Sequence, residues 1–353
     1  MRVRNVFVAG VLASAGLLTV GAGSAGATTV NVAPGGSIQS ALDAAPPGGR
    51  VHVAPGTYRE NLDISKPVTL DAEGVILTPP VTPRATPCTQ GSTFPGICIH
   101  GQIDQNGNPV SYVDRVTLEG ISVRSFSDSG VFAIGASHLG VHDARFSRNA
   151  GYGIFALHSR SVHYHDSFAY FNGDAGFYVG ESPNADVEIE GNHTYQNRAE
   201  GILFRDSLGG VIKDNIVDGN CAGIFLLDTG APGSGGDVTV EDNHVHDNSA
   251  ACAGSDDAPP FSGIGVGILG DHDTKVEDNV IEQNVASGPS GIPSGGLILL
   301  DTTGFGGTAP MNNHVEDNRL TANQPDVFSD GSGSGNRFED NRCTTSTPPG
   351  LCS

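Results

Sequence analysis

Apolar residues recur along this chain in short, evenly spaced groups. The clearest is the phrase VEDNHVHDN at Val240–Asn248, which returns as VEDNVIEQN at Val276–Asn284 and VEDNRLTAN at Val315–Asn323. IEGNHTYQN (Ile189–Asn197) and IKDNIVDGN (Ile212–Asn220) keep the same spacing, and FEDNRCTTS from Phe338 is a degenerate closing copy. In each complete copy an apolar residue stands three before the first Asn: Ile189, Ile212, Val240, Val276 and Val315. A second column, two after that Asn, is Thr194, Val217, Val245, Ile281 and Leu320. Beyond the second Asn comes a Gly followed by bulky apolar residues. Examples are GILF at Gly201, GIFLL at Gly223, GIL at Gly267 and GLILL at Gly296; GVFAI at Gly130 and GIFAL at Gly153 share this part. The tightest copies lie about 22 residues apart, a period that with three short strands per repeat predicts a solenoid. No strand this short buries a face alone, but stacked coils make one continuous core.

The Asn pair never changes spacing. Asn tolerates the left-handed backbone of a sharp bend, and Asn side chains stacked in coils ~4.8 Å apart can hydrogen-bond up a column. The phrase therefore predicts one bend and one strand of a single-stranded right-handed parallel β-helix, an all-β fold. A leucine-rich repeat would need an L-x-x-L-x-L core and a helical segment per unit, and neither is present. One helix is expected, in SIQSALDAAPPGG: Ser37 caps it, and Ile38, Ala41, Leu42 and Ala45 share a face that can plug the open end of the core. Before it, MRVRN, an apolar run over Val6–Leu18 and the A-x-A site Ala25-Gly26-Ala27 predict a secretory signal peptide over residues 1–27. The β-helix domain is then 28–353, in a secreted, extracellular protein.

The stretch Val30–Gly74, VNVAPGGSIQSALDAAPPGGRVHVAPGTYRENLDISKPVTLDAEG, resembles the opening of right-handed parallel β-helix proteins of the pectin lyase-like superfamily. GFYVGESPNADVEIEGNHTYQN resembles their repeats. The resemblance covers nearly all of the mature chain and implies the fold. That superfamily includes polysaccharide lyases, hydrolases, esterases, uronate epimerases and the maturation factor of the nitrous oxide reductase copper site, so it does not choose an activity. The sequence strings that mark its pectate lyases, polygalacturonases and alginate epimerases are absent here, and no catalytic residue carries over.

Charge narrows the partners. Of 18 basic residues Arg2 and Arg4 belong to the signal segment, leaving 16 against 39 acidic, a net −23. Such a surface disfavours nucleic acid and anionic membrane, and also pectate or alginate unless metal ions or a local basic patch intervene; the expected partner is an extracellular polysaccharide met by a monomer. All six Cys lie in the exported part, where disulfides persist. Proximity favours Cys88–Cys98 and Cys343–Cys352, and the repeat register sets Cys221 beside Cys252.

Insertions point to the working face. Length changes bracket the Gly-Ile strand, with SAACAGSDDAPPFSGIGV and VASGPSGIPSG before it and DTGAPGSGGD and DTTGFGGTAP after it. Loops on both sides of one strand column make walls over a floor, and long loops carry function. By strand alternation the outward column is Phe132, Phe155, Tyr178, Leu203, Phe225, Leu269 and Ile298. Two residues on it is Ile134, Leu157, Gly180, Arg205, Leu227, Asp271 and Leu300. Such an apolar outer face is covered by loops or an aromatic stacking ladder, or it is a sugar-stacking floor; in the second case Phe155, Tyr178 and Phe225 are the candidate stacking residues, with His158 and Asp301 at the edges. Five after the Gly stand His158, Glu181, Asp206, Asp228, His272 and Asp301. Asp206 and Asp228 are the candidate acid–base pair of glycan cleavage, with Glu181 and Arg205 alongside. On another face SVHYHDS sets His163 and His165 on one side of a strand, with His142 on the coil before and Glu188 and Glu190 on the coil after, a candidate zinc or copper site. Asp214, Asp242, Asp278, Asp317 and Asp340 form an acidic column that solvent screens or Ca²⁺ bridges. No cofactor is required by the glycan reading. The rival readings are a non-catalytic structural solenoid and a metal-handling protein.

Overall fold

The computed structural model describes residues 28–231, 234–254 and 259–353. The signal-peptide expectation lies outside the described residues. The chain winds into coils, and each interior coil gives one strand to each of three parallel sheets of 12, 10 and 11 strands. The inward columns are those the repeat marks. Tyr164, Ile189, Ile212, Val240, Val276 and Val315 stand in register in the first sheet. Thr194, Val217, Val245, Ile281 and Leu320 do so in the second. All are buried.

Helix α1 (Ile38–Ala44) closes the N-terminal end. Ser37 Oγ accepts from Ser40 N at 3.2 Å, and the Glu60 carboxylate accepts from Ile38 N at 2.8 Å and Gln39 N at 3.1 Å. These bonds satisfy N–H groups the first turn leaves open. Ile38, Ala41, Leu42 and Ala45 are buried in the core. The disulfides are Cys88–Cys98, Cys221–Cys252 and Cys343–Cys352, with Cα separations of 5.7, 5.8 and 5.2 Å.

Both Asn of the phrase are structural. Asn192, Asn215, Asn243, Asn279, Asn318 and Asn341 form one buried ladder, each amide donating to the next Oδ1 at 2.9–3.1 Å. Asn149, Asn172, Asn197, Asn220, Asn248, Asn284 and Asn323 form a second. Every rung also receives a backbone N–H from the coil before, so the bends bury polar groups without leaving them unpaired. The Asp column has a backbone cause. Asp143, Asp166, Asp214, Asp242, Asp278, Asp317 and Asp340 all hold φ between 49° and 56° and are exposed. Asp is among the few non-Gly residues that accept this region, its short side chain bonding locally. Solvent reaches each carboxylate.

Candidate functional site

The outer face of the third sheet changes character along the solenoid. Register corrects one expected column. Ala222 pairs with Ile264 and Ile264 with Gly295, so Gly265, not Gly267, matches Gly223 and Gly296. The first outward column therefore runs Phe155, Tyr178, Leu203, Phe225, Gly267, Ile298, and the second runs Arg205, Leu227, Leu269, Leu300. Asp271 and His272 leave the positions expected for them. The corner residue on that coil is Gly270, whose N–H donates to Leu300 O at 2.8 Å, and His272 bridges Gly236 and Met311 in the first sheet.

In the N-terminal half the outer face is closed by aromatic rings packed on one another. Phe155 and Tyr178 stack at 4.4 Å and 14°, Tyr152 lies 4.8 Å and 5.2 Å from them, and Phe132 lies 4.8 Å from Phe155. Tyr178 is buried and Phe155 half-buried. His158 and Glu181 sit at the corner beside this ladder. His158 Nδ1 is 3.0 Å from Glu181 O, and its Nε2 is 3.5 Å from Glu181 Oε2. Neither lines the cleft described next.

That cleft opens where the ladder stops and has a volume of about 450 Å³. Phe225, Leu227, Leu269 and Leu300 form its floor. Pro259, Phe261 and Ile292, from the segments before the strand, make one wall. Asp301, Thr302 and Phe305, from the loop after it, make the other. Phe305 ends a short 3-10 turn, Thr303–Phe305, whose start is fixed by Thr303 N donating to Asp301 Oδ1 at 2.7 Å. Phe305 is 64% exposed, an unusual position for a large apolar residue. Glu200, Arg205 and Thr229 complete the lining.

Asp206 and Asp228 are not presented to the cleft as a free acid pair, because both are buried and committed to holding its wall. Asp206 accepts from Thr229 N at 2.6 Å, Thr229 Oγ1 at 2.7 Å and Arg205 Nε at 3.0 Å. Asp228 accepts from Gly230 N at 2.7 Å and from Thr308 Oγ1 at 3.0 Å, tying the 301–310 loop to a coil two turns earlier. Asp271, also buried, has an Oδ1 with no partner among the described residues. Burial first, then the neighbouring Asp228 and Asp206, hold its carboxyl well above the usual carboxylate range.

Glu200, which sequence reasoning passed over, is the buried acid of the lining, beside the exposed Asp301 of the wall. It precedes Gly201 in the strand Glu200–Arg205, in register with Ala222 and Ile264, and is 7% exposed. Burial, with Asp174 adding, pushes its carboxyl up to about 8. Asp174 is itself raised by burial and accepts from Ala175 N at 2.9 Å. The signal was legible: the residue before each Gly is Ser129, Tyr152, Ala175, Glu200, Ala222, Ile264 and Gly295, and only one of these is charged.

On the first sheet His163 pairs with Glu188, and His165 with both His142 and Glu190. His163, His165 and Glu188 bring ligand atoms within 4.8 Å of one another. His142 falls outside that set, because its ring stacks on His165 at 5.3 Å and 10°.

The family model for the right-handed β-helix region matches residues 91–234 and 129–306. The chain belongs to the right-handed β-helix family. No curated protein matches it in sequence. Solved structures share the fold at low identity. The family 28 exopolygalacturonase of Yersinia enterocolitica is 16% identical, with a TM-score of 0.55 over 90% of this chain and 76% of that one. The A-module of the Azotobacter vinelandii mannuronan C-5 epimerase AlgE4 is 17% identical, with a TM-score of 0.50 over 86% and 89%. The Dettilon tailspike protein gp208 is 11% identical, with a TM-score of 0.53 over 90% and 58%. At these identities the likeness is one of fold.

Proposed function

We propose that this β-helix protein binds an extracellular polysaccharide in the cleft over the third sheet, and that Glu200 is the proton donor of a cleavage reaction there. One observation carries the reading: a buried carboxylic acid borders an apolar floor between two inserted walls, and burial pushes its pKa up to about 8. An acid that keeps its proton at neutral pH can deliver it to a departing glycosidic oxygen. The exposed ring of Phe305 offers a face on which a sugar stacks, and Arg205 offers a cation to an acidic substituent. Relatives in fold include an exopolygalacturonase and a mannuronan epimerase, which fits a glycan in this cleft. The three disulfides fit an oxidising compartment outside the cytoplasm.

The test is a panel of neutral and acidic glycans, scored by reducing-end release and by the absorbance of unsaturated uronate. Glu200→Gln should remove cleavage and keep retention on a column of the same glycan. Phe305→Ala should lower retention, since the stacking face goes and nothing buried changes. Retention without cleavage in the wild type leaves a binding protein. Neither retention nor cleavage on any glycan sinks both parts and leaves a structural solenoid.

A further inference from the structure

We propose that His163, His165 and Glu188 form a zinc-class metal site on the outer face of the first sheet, away from the cleft. The two His sit two apart on one strand, Arg160–His165, and both point out of the coil. On the next coil, Glu188 stands opposite His163 and Glu190 opposite His165. Glu188 Oε2 lies 3.7 Å from His163 Nδ1 and 3.5 Å from His165 Nε2. Ligands ~2.1 Å from a tetrahedral ion are about 3.4 Å apart, so the side chains need shift only slightly to close on one. Two imidazoles and a carboxylate match zinc or copper(II), while Ca²⁺ and Mg²⁺ take oxygen ligands.

The surroundings orient the set. Glu190 Oε2 faces the other nitrogen of His165, Nδ1, at 3.4 Å. A carboxylate there holds the proton on Nδ1 and leaves the Nε2 lone pair toward the shared point, the arrangement that metal-binding His usually shows. Lys213 Nζ approaches the other oxygen of Glu188, Oε1, at 3.3 Å and steers Oε2 toward the His pair. His142, stacked on His165, fixes that ring's plane. A room for its ring is left by Gly140: a Cβ there would stand 3.0 Å from His142 Nε2. Three protein ligands leave a fourth position to water or an incoming group.

The protein, freed of metal by chelator, is titrated with zinc chloride by calorimetry, and with cobalt chloride by visible absorption. The expected result is one zinc per chain and a tetrahedral cobalt spectrum. His163→Ala and His165→Ala should each weaken binding about 100-fold or more, and Glu190→Gln by roughly 10-fold. His244→Ala, in another half-buried His pair on the second sheet, should change nothing. Metal-free melts of each variant check folding, and His163→Gln replaces any alanine variant that fails that check. Zinc binding equally tight in wild type and in the His163→Ala/His165→Ala double variant overturns the site, as does a wild type that binds no zinc.

Discussion

Glu200→Gln should make the protein more stable at neutral pH, and by an amount that grows with pH. The reference acid pKa is 4.5 and the folded value is about 8. As pH rises past 4.5 the unfolded chain ionises Glu200 while the folded chain keeps the proton, so unfolding releases a proton and stability falls at ~1.4 kcal/mol per pH unit. The loss begins near pH 4.5 and is complete near pH 8, where the folded state ionises too. At pH 7 some two and a half units have been crossed, a penalty of about 3 kcal/mol. Gln has the same volume and no proton to lose, so it removes the penalty. The assay is a set of thermal melts of both proteins at pH 4.5, 6, 7 and 8. Solenoids need not unfold in one step, so the quantity to read is the difference between the two proteins. That difference should be near zero at pH 4.5 and widen steadily to pH 8. Asp271, also raised by burial, titrates in both proteins and cancels. Asp174 couples to Glu200, so the widening reports the pair. A difference that stays flat across this range means Glu200 ionises normally, and the proton donor of the proposed cleavage is lost with it.

Two further outcomes separate scaffold from wall. Asn243→Ala removes the acceptor of Asn215 N and Nδ2 and the donor to Asn279 Oδ1 and Ile212 O, and should cost about 3–5 kcal/mol. Asp242→Gly, one residue away at φ 54° and exposed, should change stability by less than ~1 kcal/mol; equal losses in thermal melts would contradict the ladder account. Asp228→Ala removes one of the two acceptors that Thr308 Oγ1 faces, the other being Gly270 O at 2.6 Å, and should raise the rate of cleavage in the 301–310 loop in limited proteolysis. Asp228→Asn should keep it protected, and a loop equally resistant in Asp228→Ala would show that the tie does not hold the wall.

The fold was readable because its signals are local and repeated. A bend that must bury its polar groups needs Asn at two fixed places, and the inward strand positions need Ile, Val or Leu, so one coil predicts the next. The wall loops were readable for the opposite reason, as departures from a fixed length. The site failed where a repeat carries extra Gly. In GIGVGILG either Gly265 or Gly267 satisfies the pattern, and choosing Gly267 moved Leu269, Asp271 and His272 into columns they do not occupy. Asp206 and Asp228 look like an acid pair in sequence because spacing reports backbone proximity. What their oxygens accept is set by Thr229, Gly230 and Thr308, and all three belong to loops with no repeat to align. Glu200 was missed because counting began at the Gly, although the bend there gives the preceding residue an outward position too.

The third corner explains why acids gather beside the cleft. In the coils without inserts, this corner is closed by a serine ladder. Ser159 Oγ accepts from Ala136 N, Ser182 Oγ from Ser159 N and Ser207 Oγ from Ser182 N, at 3.0–3.1 Å. The next coil carries the 228–235 insert, and no serine follows Ser207 in that column. Opening the corner leaves backbone N–H groups of the insert only partly reached by solvent, where an unmet donor is costly. A carboxylate accepts several such bonds at once, and Asp206 and Asp228 meet Thr229 N and Gly230 N. The acids are thus a consequence of building walls onto a solenoid. Glu200 meets no such need: it lies at the start of a strand, on the floor side, with burial raising its pKa. Among the described residues no N–H of the inserts donates to the Glu200 side chain, and that contrast is why the proposed chemistry rests on Glu200.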